Sequence, residues 1–454
     1  LKQYGSGRED PAVLKLHVVH VGHHGYYVEG RQFGHGDDFD VAIESPGAWT
    51  GPAAPSLGLG GVVDPETFGR VMEGFGPDSG RRLRLGRGAA SVAGFDLTFC
   101  APKSVSLLEA LAPREIATEV GAGHDAAVAE ASAYLSRTAV GVRRGSGRSL
   151  QLLPSTGMVA GGFRHLTSRA LDPHLHTHVV AANLAQGVDG TWSAADGRRV
   201  FAHARAAGSI YQARLRFELS DRLGAAWEVR PSGLGDVVGV DGGLRRLFSQ
   251  RSADIEEFVA VRHGGASGRH PGAFYATRPD KDLTRSLESL VSSWKGRAAD
   301  FGFDLGDLSQ VVGRGAQLGR EVGGGVDPQR MVDRLEGAGR PEGSMARRDL
   351  VALVASTSLR GATVAGIDST VDRIVTSVGS RAETDKGREP RWLRGDVLSV
   401  ARERGSELTV RSEREVAPSA AVDRRAGRER ETARHLAPTG ERRRELGRDH
   451  GLGL

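Results

Sequence analysis

From Gly94 the run Phe95-Asp96-Leu97-Thr98-Phe99-Cys100 alternates apolar and polar side chains. That period of two predicts a half-buried strand with Phe95, Leu97 and Phe99 on one face and Asp96 and Thr98 on the other. Pro102 stops the strand and suits the first turn of a helix, and Val105, Leu108 and Leu111 then recur at helical spacing up to Pro113. Ile116, Val120, Val128, Ala131 and Leu135 predict a second helix between Arg114 and Arg137, interrupted around Gly121 and Gly123. A basic loop with Arg143, Arg144 and Arg148 follows. Two β-rich runs, Met158 to His165 and His176 to Leu184, flank a polar turn containing Asp172-Pro173. Ala207, Tyr211, Leu215, Leu219 and Leu223 recur every four residues, an amphipathic helix that ends before Pro231. Past about residue 305 the pattern changes: Val322 to Val326 is Gly-rich and linker-like, and Ile367, Val371, Ile374, Val375 and Val378 mark one further helix. From about Arg402 onward Arg and Glu dominate, with too little apolar surface to offset ordering entropy, so this tail is read as disordered or as a solvated helix.

The 454 residues leave room for two to three domains at about 150 residues each. Sixty-one Lys and Arg against 56 Asp and Glu give a net charge of +5, and only six of the bases are Lys. The basic character is therefore guanidinium, the planar fork that binds phosphate in two-point fashion. A net charge this small does not identify a nucleic-acid partner, so that inference rests on local runs: Arg81, Arg82, Arg84 and Arg87, and then Arg143, Arg144 and Arg148. A single cysteine, Cys100, excludes an intramolecular disulfide framework and any Cys-rich zinc module, and fits a reducing compartment. No stretch approaches about 18 uninterrupted apolar residues, and the first 25 positions carry charged and His residues where a signal peptide needs an apolar run. The chain reads as cytoplasmic, with no membrane segment. It begins with Leu rather than Met, which leaves its N-terminal boundary open.

Four histidines fall within fourteen positions: His165, His174, His176 and His178. On a strand, residues two apart share a face, so His176 and His178 can offer two imidazoles to one ion, with His165 arriving from a neighbouring strand. Three neutral imidazoles with open positions suit a catalytic divalent metal that also holds a substrate oxygen. His174, behind Pro173, is left as a support for a ligand or a substrate contact. The adjacent pair Tyr26-Tyr27 follows His23-His24-Gly25. A phenol of ordinary pKa about 10 needs a metal-polarised electrophile or a nearby base to act as a nucleophile. Asp96, on the polar face of an apolar strand, requires a partner if buried. It can accept the ring N–H of a metal-bound His, take the tyrosine proton, or simply cap the surface.

The segment from Gly94 to Ser106, Gly-Phe-Asp-Leu-Thr-Phe-Cys-Ala-Pro-Lys-Ser-Val-Ser, resembles the signature strand and helix of conjugative relaxases of the MobF class, the TrwC-like group. His165 and the Asp172-Pro173-x-Leu175-His176-Thr177-His178 block resemble the metal motif of that family in residue type and spacing. Similarity continues through Trp192, the Ala207 to Leu223 helix and Phe248-Ser249-x-Arg251, covering about residues 12 to 305. The resemblance implies an α+β HUH endonuclease: a central antiparallel β-sheet with flanking helices. It implies a relaxase domain over 1–305, a helical region over 327–400 similar to the segment before a helicase, and the charged tail over 401–454. It implies that Tyr26 attacks a scissile phosphate at a plasmid origin of transfer, leaving a 5′-phosphotyrosine link and a free 3′-hydroxyl, with Tyr27 the alternative nucleophile. His165, His176 and His178 would hold Mg²⁺ or Mn²⁺, with Zn²⁺ the other option, and Asp96 would orient or deprotonate. Arg81, Arg82, Arg84, Arg143 and Arg144 are the candidate contacts to single-stranded or hairpin origin DNA. The further partners implied are accessory relaxosome proteins, a coupling protein and a type IV secretion system.

The sequence departs from the family pattern in two places. Where the family often carries a second tyrosine pair, this chain reads Asp37-Asp38-Phe39-Asp40, so a second strand-transfer step has no hydroxyl to use. No G-x-x-x-x-G-K-[ST] phosphate loop occurs, so helicase activity is not predicted and the chain reads as a truncated or split gene product. Two other readings stand beside a nicking enzyme: a relaxase remnant that only binds origin DNA, and a three-histidine metallohydrolase of a small substrate.

Overall fold

A computed structural model describes residues 14–22, 46–78, 80–84, 92–251, 253–254, 257–258, 286–317, 326–339, 342–379 and 390–408. Tyr26, Tyr27, the 37–40 stretch, Arg87 and the tail beyond Leu408 lie outside the described residues, while the first residues assigned to that tail are ordered as the end of a helix, Arg394–Arg404, and a turn, Gly405–Leu408.

The organising element is an antiparallel sheet built from β1 (Leu14–His20), β2 (Ala48–Thr50), β3 (Val92–Cys100), β6 (Ala160–Thr167) and β7 (Pro173–Ala182), in the order β1-β3-β7-β6-β2. A separate hairpin of β4 (Gly141–Arg144) and β5 (Gln151–Pro154) precedes β6. Helix α1 (Pro65–Met72) covers one sheet face, and Phe68 and Met72 pack there with Val19, Phe163, Val180 and Ala182. The other face carries α2 (Lys103–Leu111), α3 (Arg114–Thr138) and α4 (Gly197–Leu223), against which Leu97, Phe99, Leu175 and Val179 pack. The expected α+β architecture is observed.

Four details differ from the sequence expectation. β3 is buried on both faces rather than one: Asp96 and Thr98 on its polar face are 1% exposed and bond His178, which stands beside them on the neighbouring β7. α3 runs uninterrupted through Gly121 and Gly123. Gly123 marks a close approach instead of a break, since a Cβ there would stand 2.9 Å from Leu219 Cδ2 of α4. Arg143 and Arg144 lie on β4, not in a loop, where pairing with β5 extends the backbone. α4 also begins ten residues before the apolar repeat that announced it, at Gly197, with the Asp196 carboxylate accepting from Arg198 N at its start.

α3 and α4 are antiparallel partners tied by reciprocal buried pairs: His124 of α3 with Tyr211 of α4, and Tyr134 of α3 with His203 of α4. Burial holds the His203 imidazole down at about 4, helped by Arg348 and Arg199.

Beyond residue 327, α5 (Pro328–Gly337), α6 (Arg347–Thr357), α7 (Val364–Val378) and α8 (Arg394–Arg404) form a helical layer with the antiparallel strand pair Ser344–Ala346/Arg391–Leu393. Every residue of α6 from Leu350 to Thr357 is buried. The fully buried Arg216 of α4 donates to Gly233 O at 2.9 Å and to Ala355 O and Ser358 O at 3.3 and 3.0 Å. The guanidinium thus satisfies carbonyls at the C-terminal end of α6, where a positive charge also complements the helix dipole. Glu130 of α3 accepts from Val364 N at 2.6 Å, at the start of α7. Gly361 makes the approach to α4 feasible: it has φ +87° and its Cβ position is 2.2 Å from Phe217 N.

Two outcomes follow. Arg216→Met leaves those carbonyls buried without their charged donor and should destabilise by about 2–4 kcal/mol in urea unfolding. His203, neutral when folded, favours the unfolded chain once that chain takes up protons near 6.5. Its contribution is whole above that pH and is lost as pH falls toward 4. His203→Gln should therefore flatten the fall of melting temperature across that window.

Candidate metal centre and active site

β7 lies between β3 and β6, and its alternation sends His176 and His178 to the α1 side of the sheet while Leu175, Thr177 and Val179 face the helices. Antiparallel register places His165 of β6 directly across from His176, and Thr98 of β3 across from His178. The three imidazoles His165, His176 and His178 therefore meet, with ring centroids 5.0, 5.0 and 5.2 Å apart. One ligand nitrogen from each lies within 4.8 Å of the other two. The rings are 3%, 0% and 1% exposed, so this convergence is built into the interior and is not a surface coincidence.

Neighbouring groups fix two of the rings. Both Asp96 carboxylate oxygens are 2.9 Å from His178 Nδ1, and Thr98 Oγ1 lies 3.1 Å from the same nitrogen. His176 Nδ1 donates to His174 O at 2.8 Å, and the His174 ring stacks on the His176 ring at 4.7 Å. A ring that donates through Nδ1 carries its lone pair on Nε2, so both contacts select the tautomer that ligates through Nε2. Three imidazoles, two of them so fixed and one with a carboxylate behind it, form a donor set that fits a divalent cation.

The turn that leads into β7 is clamped. Leu171 adopts φ +56° and its carbonyl accepts from Trp294 Nε1 at 2.7 Å. The Asp172 carboxylate accepts from Arg297 Nη1 at 3.0 Å and from Gln250 N at 2.9 Å. Lys103 Nζ donates to Pro173 O at 2.7 Å, and its burial pulls the ammonium down to about 8 against the opposing charge of Asp172. The Lys of the Ala101-Pro102-Lys103-Ser104 run thus holds the first residue of the ligand strand.

On the helix side, beneath the ligands, His124 bonds Thr177 Oγ1 and Tyr211 OH, each at 2.8 Å. Complete burial, then the charges of Arg164 and His176, take its imidazole down to about 3, so it is neutral. His124 was absent from the sequence reading, although its place among Val120, Ala127, Val128 and Ala131 on a buried helical stripe was a visible signal. Trp294 and Arg297 offered none, since only the tertiary fold brings them to the turn.

The arginine candidates divide. Arg81 and Arg82 are exposed, with Arg82 lying over the Phe75 ring at 5.0 Å. Arg84 is buried and donates to Met72 O. Arg143 makes a two-point pair with Asp196 at 3.1 and 2.6 Å, and Arg144 another with Asp189 at 2.7 and 3.0 Å. Arg144 also donates to Thr191 O and Ser193 Oγ, bracing the segment beside β4.

An antiparallel α+β sheet whose central strands converge three buried imidazoles on one point, with a carboxylate behind one ring, defines a metal-binding domain of the HUH type. Residues 21–301 match the TrwC relaxase family, and the chain belongs to that family. It is 31% identical over 320 residues to the multifunctional conjugation protein TraI of Escherichia coli, a match spanning 67% of this chain and 18% of that protein. The chain thus spans about a fifth of the length of that relative. The metal-bound structure of the conjugative relaxase TrwC in complex with oriT DNA aligns with TM-score 0.56 and 29% identity, covering 64% of this chain and 99% of that one. TrwC complexed with a 27-mer DNA comprising the recognition hairpin and the cleavage site aligns with TM-score 0.54 and 28% identity over the same shares.

Asp96→Asn should weaken Mn²⁺ affinity by about 10–100-fold, the usual effect of losing the group behind a His ligand. Isothermal titration of the metal-free protein measures it, and an unchanged affinity would separate Asp96 from the centre.

Proposed function

We propose that the chain is a metal-dependent relaxase that nicks and rejoins single-stranded DNA at a plasmid origin of transfer. The observation that carries this reading is the buried convergence of His165, His176 and His178 with Asp96 behind His178, on the sheet of the TrwC relaxase family. The relatives that bind oriT DNA share this fold at 28–29% identity, which supports the same class of substrate here.

The ion held by His165, His176 and His178, Mg²⁺ or Mn²⁺ in this reading, would supply a positive charge to the non-bridging oxygens of the scissile phosphate. The chain's own residues do the rest. Tyr26 is the proposed nucleophile, with Tyr27 as the alternative: its oxygen forms a bond to phosphorus as the bond to the 3′-oxygen breaks, and the departing oxygen ends as a 3′-hydroxyl. The 5′-phosphotyrosine ester that remains keeps the cut reversible. Asp96 is the proposed positioning group for His178, whose Nδ1 lies 2.9 Å from both of its oxygens; deprotonation of the tyrosine is its alternative role. Exposed Arg81, Arg82 and Arg143 are the proposed phosphate contacts. Arg84 and Arg144 act as internal braces. A cytoplasmic setting, where plasmid DNA is found, fits the reading; no helix among the described residues is long and apolar enough to cross a membrane.

Incubation with Mg²⁺ or Mn²⁺ and labelled single-stranded oligonucleotides from the origin of its own plasmid should yield a protein–DNA adduct stable in SDS. Peptide mapping should place it on Tyr26, and Tyr26→Phe or EDTA should abolish it. DNA that binds without being cut under either metal would leave only a remnant that recognises the origin. Turnover of simple esters without DNA binding would favour a small-substrate metallohydrolase.

A further inference from the structure

His124 is a fully buried imidazole that takes no part in the chemistry above. Its neighbours on α3, Val120, Ala127, Val128 and Ala131, are the aliphatic residues of an ordinary core stripe. A polar ring in such a stripe is tolerated only when its nitrogens are bonded, and here both are. Nδ1 meets Tyr211 OH on α4 and Nε2 meets Thr177 Oγ1 on β7, so one neutral ring joins two helices and the central strand. In either tautomer it donates through one nitrogen and accepts through the other. The Tyr211 ring rests on Phe99 with centroids 5.5 Å apart, and Phe99 of β3 is the register partner of Thr177. The four side chains close a circuit: His124 to Thr177, across the sheet to Phe99, up to Tyr211 and back.

Thr177 stands between His176 and His178. Whatever holds its hydroxyl from the helix side holds the peptide segment from which the two ligands project on the opposite face. We infer that His124 is a positioning residue for the metal centre, fixing Thr177 and thereby the backbone between His176 and His178. This inference rests on the metal reading proposed above. The second His–Tyr tie supplies an internal contrast. His203 Nδ1 is within bonding distance of Tyr134 OH and Thr138 Oγ1, both on α3, so it joins the same two helices with the same chemistry. If His124 did no more than staple helices, the two ties would be equivalent.

The test uses the full chain, stripped of metal, as wild type, Thr177→Val, Thr177→Ser, His124→Leu and His203→Leu. Mn²⁺ affinity is read by titration, the amide exchange of residues 176–178 by NMR or mass spectrometry in the metal-free protein, and integrity of the fold by thermal melting. Thr177→Val keeps the branched shape and removes only the hydroxyl. It and His124→Leu should bind Mn²⁺ about 10–100-fold more weakly, as expected when a group supporting the ligands is lost, and should exchange faster at 176–178. Thr177→Ser should restore affinity to near wild type, and His203→Leu should lower the melting temperature while leaving affinity unchanged. A folded Thr177→Val with wild-type affinity and exchange would overturn the inference, as would equal weakening by His203→Leu. Wild type that binds no Mn²⁺ would overturn the metal reading instead, and exchange in the metal-free variants would still decide whether His124 holds the strand.

Discussion

The register of β3, β7 and β6 is the constraint on which the site depends. With Cys100 opposite His176 and His165 opposite His176 on the other side, the three imidazoles and Asp96 share one end of one sheet face. A slip of one residue in β7 would turn His176 and His178 into the helical core and bring Leu175 and Thr177 to the site. Register is held at the strand's entrance by Lys103, Trp294, Arg297 and Gln250 on the 171–173 turn. Leu175 N donates to Ser106 Oγ and Leu175 O accepts from Ala101 N, which lock the first residues of β7 to α2 and to the turn before it.

The same sheet face changes character along β7. His174, His176 and His178 give way to Val180 and Ala182, which pack under Phe68 and Met72. The apolar half anchors the sheet through ordinary burial, and the polar half is affordable because its rings are paired with Asp96, Thr98 and the His174 carbonyl. The helix side is also layered: α3 and α4 contact the sheet through His124 and Tyr211, and their outer side receives α6 and α7 through Arg216 and Glu130. The helices beyond residue 327 lie outside the 21–301 family match yet pack on the body that carries the centre.

Much of this was legible in the residues. Period-two alternation located β3, helical spacing located α2, α4 and α7, and the same-face rule brought His176 and His178 together with His165 as the third imidazole. Elements defined by long-range contact were not legible. Gly121 and Gly123 read as helix breakers because the sequence does not show α4 pressing against Gly123 or Arg164 of β6 approaching Gly121. Arg143 and Arg144 read as a basic loop because β4 is only four residues long, and the carboxylates that pair with them, Asp196 and Asp189, lie some fifty residues away. Arg84 read as a surface charge although the fold encloses it. His124 was passed over because a single histidine in a helix carries meaning only once its two partners are seen.

The central claim is that three imidazoles on this sheet face hold one divalent ion. It is met most directly by anomalous scattering from a crystal grown with Mn²⁺, recorded on both sides of the manganese absorption edge. The account predicts one strong anomalous peak within coordination distance of ring nitrogens from His165, His176 and His178, with Asp96 still on His178 Nδ1. A peak bound by other residues, or no peak among these rings at saturating Mn²⁺, would contradict it.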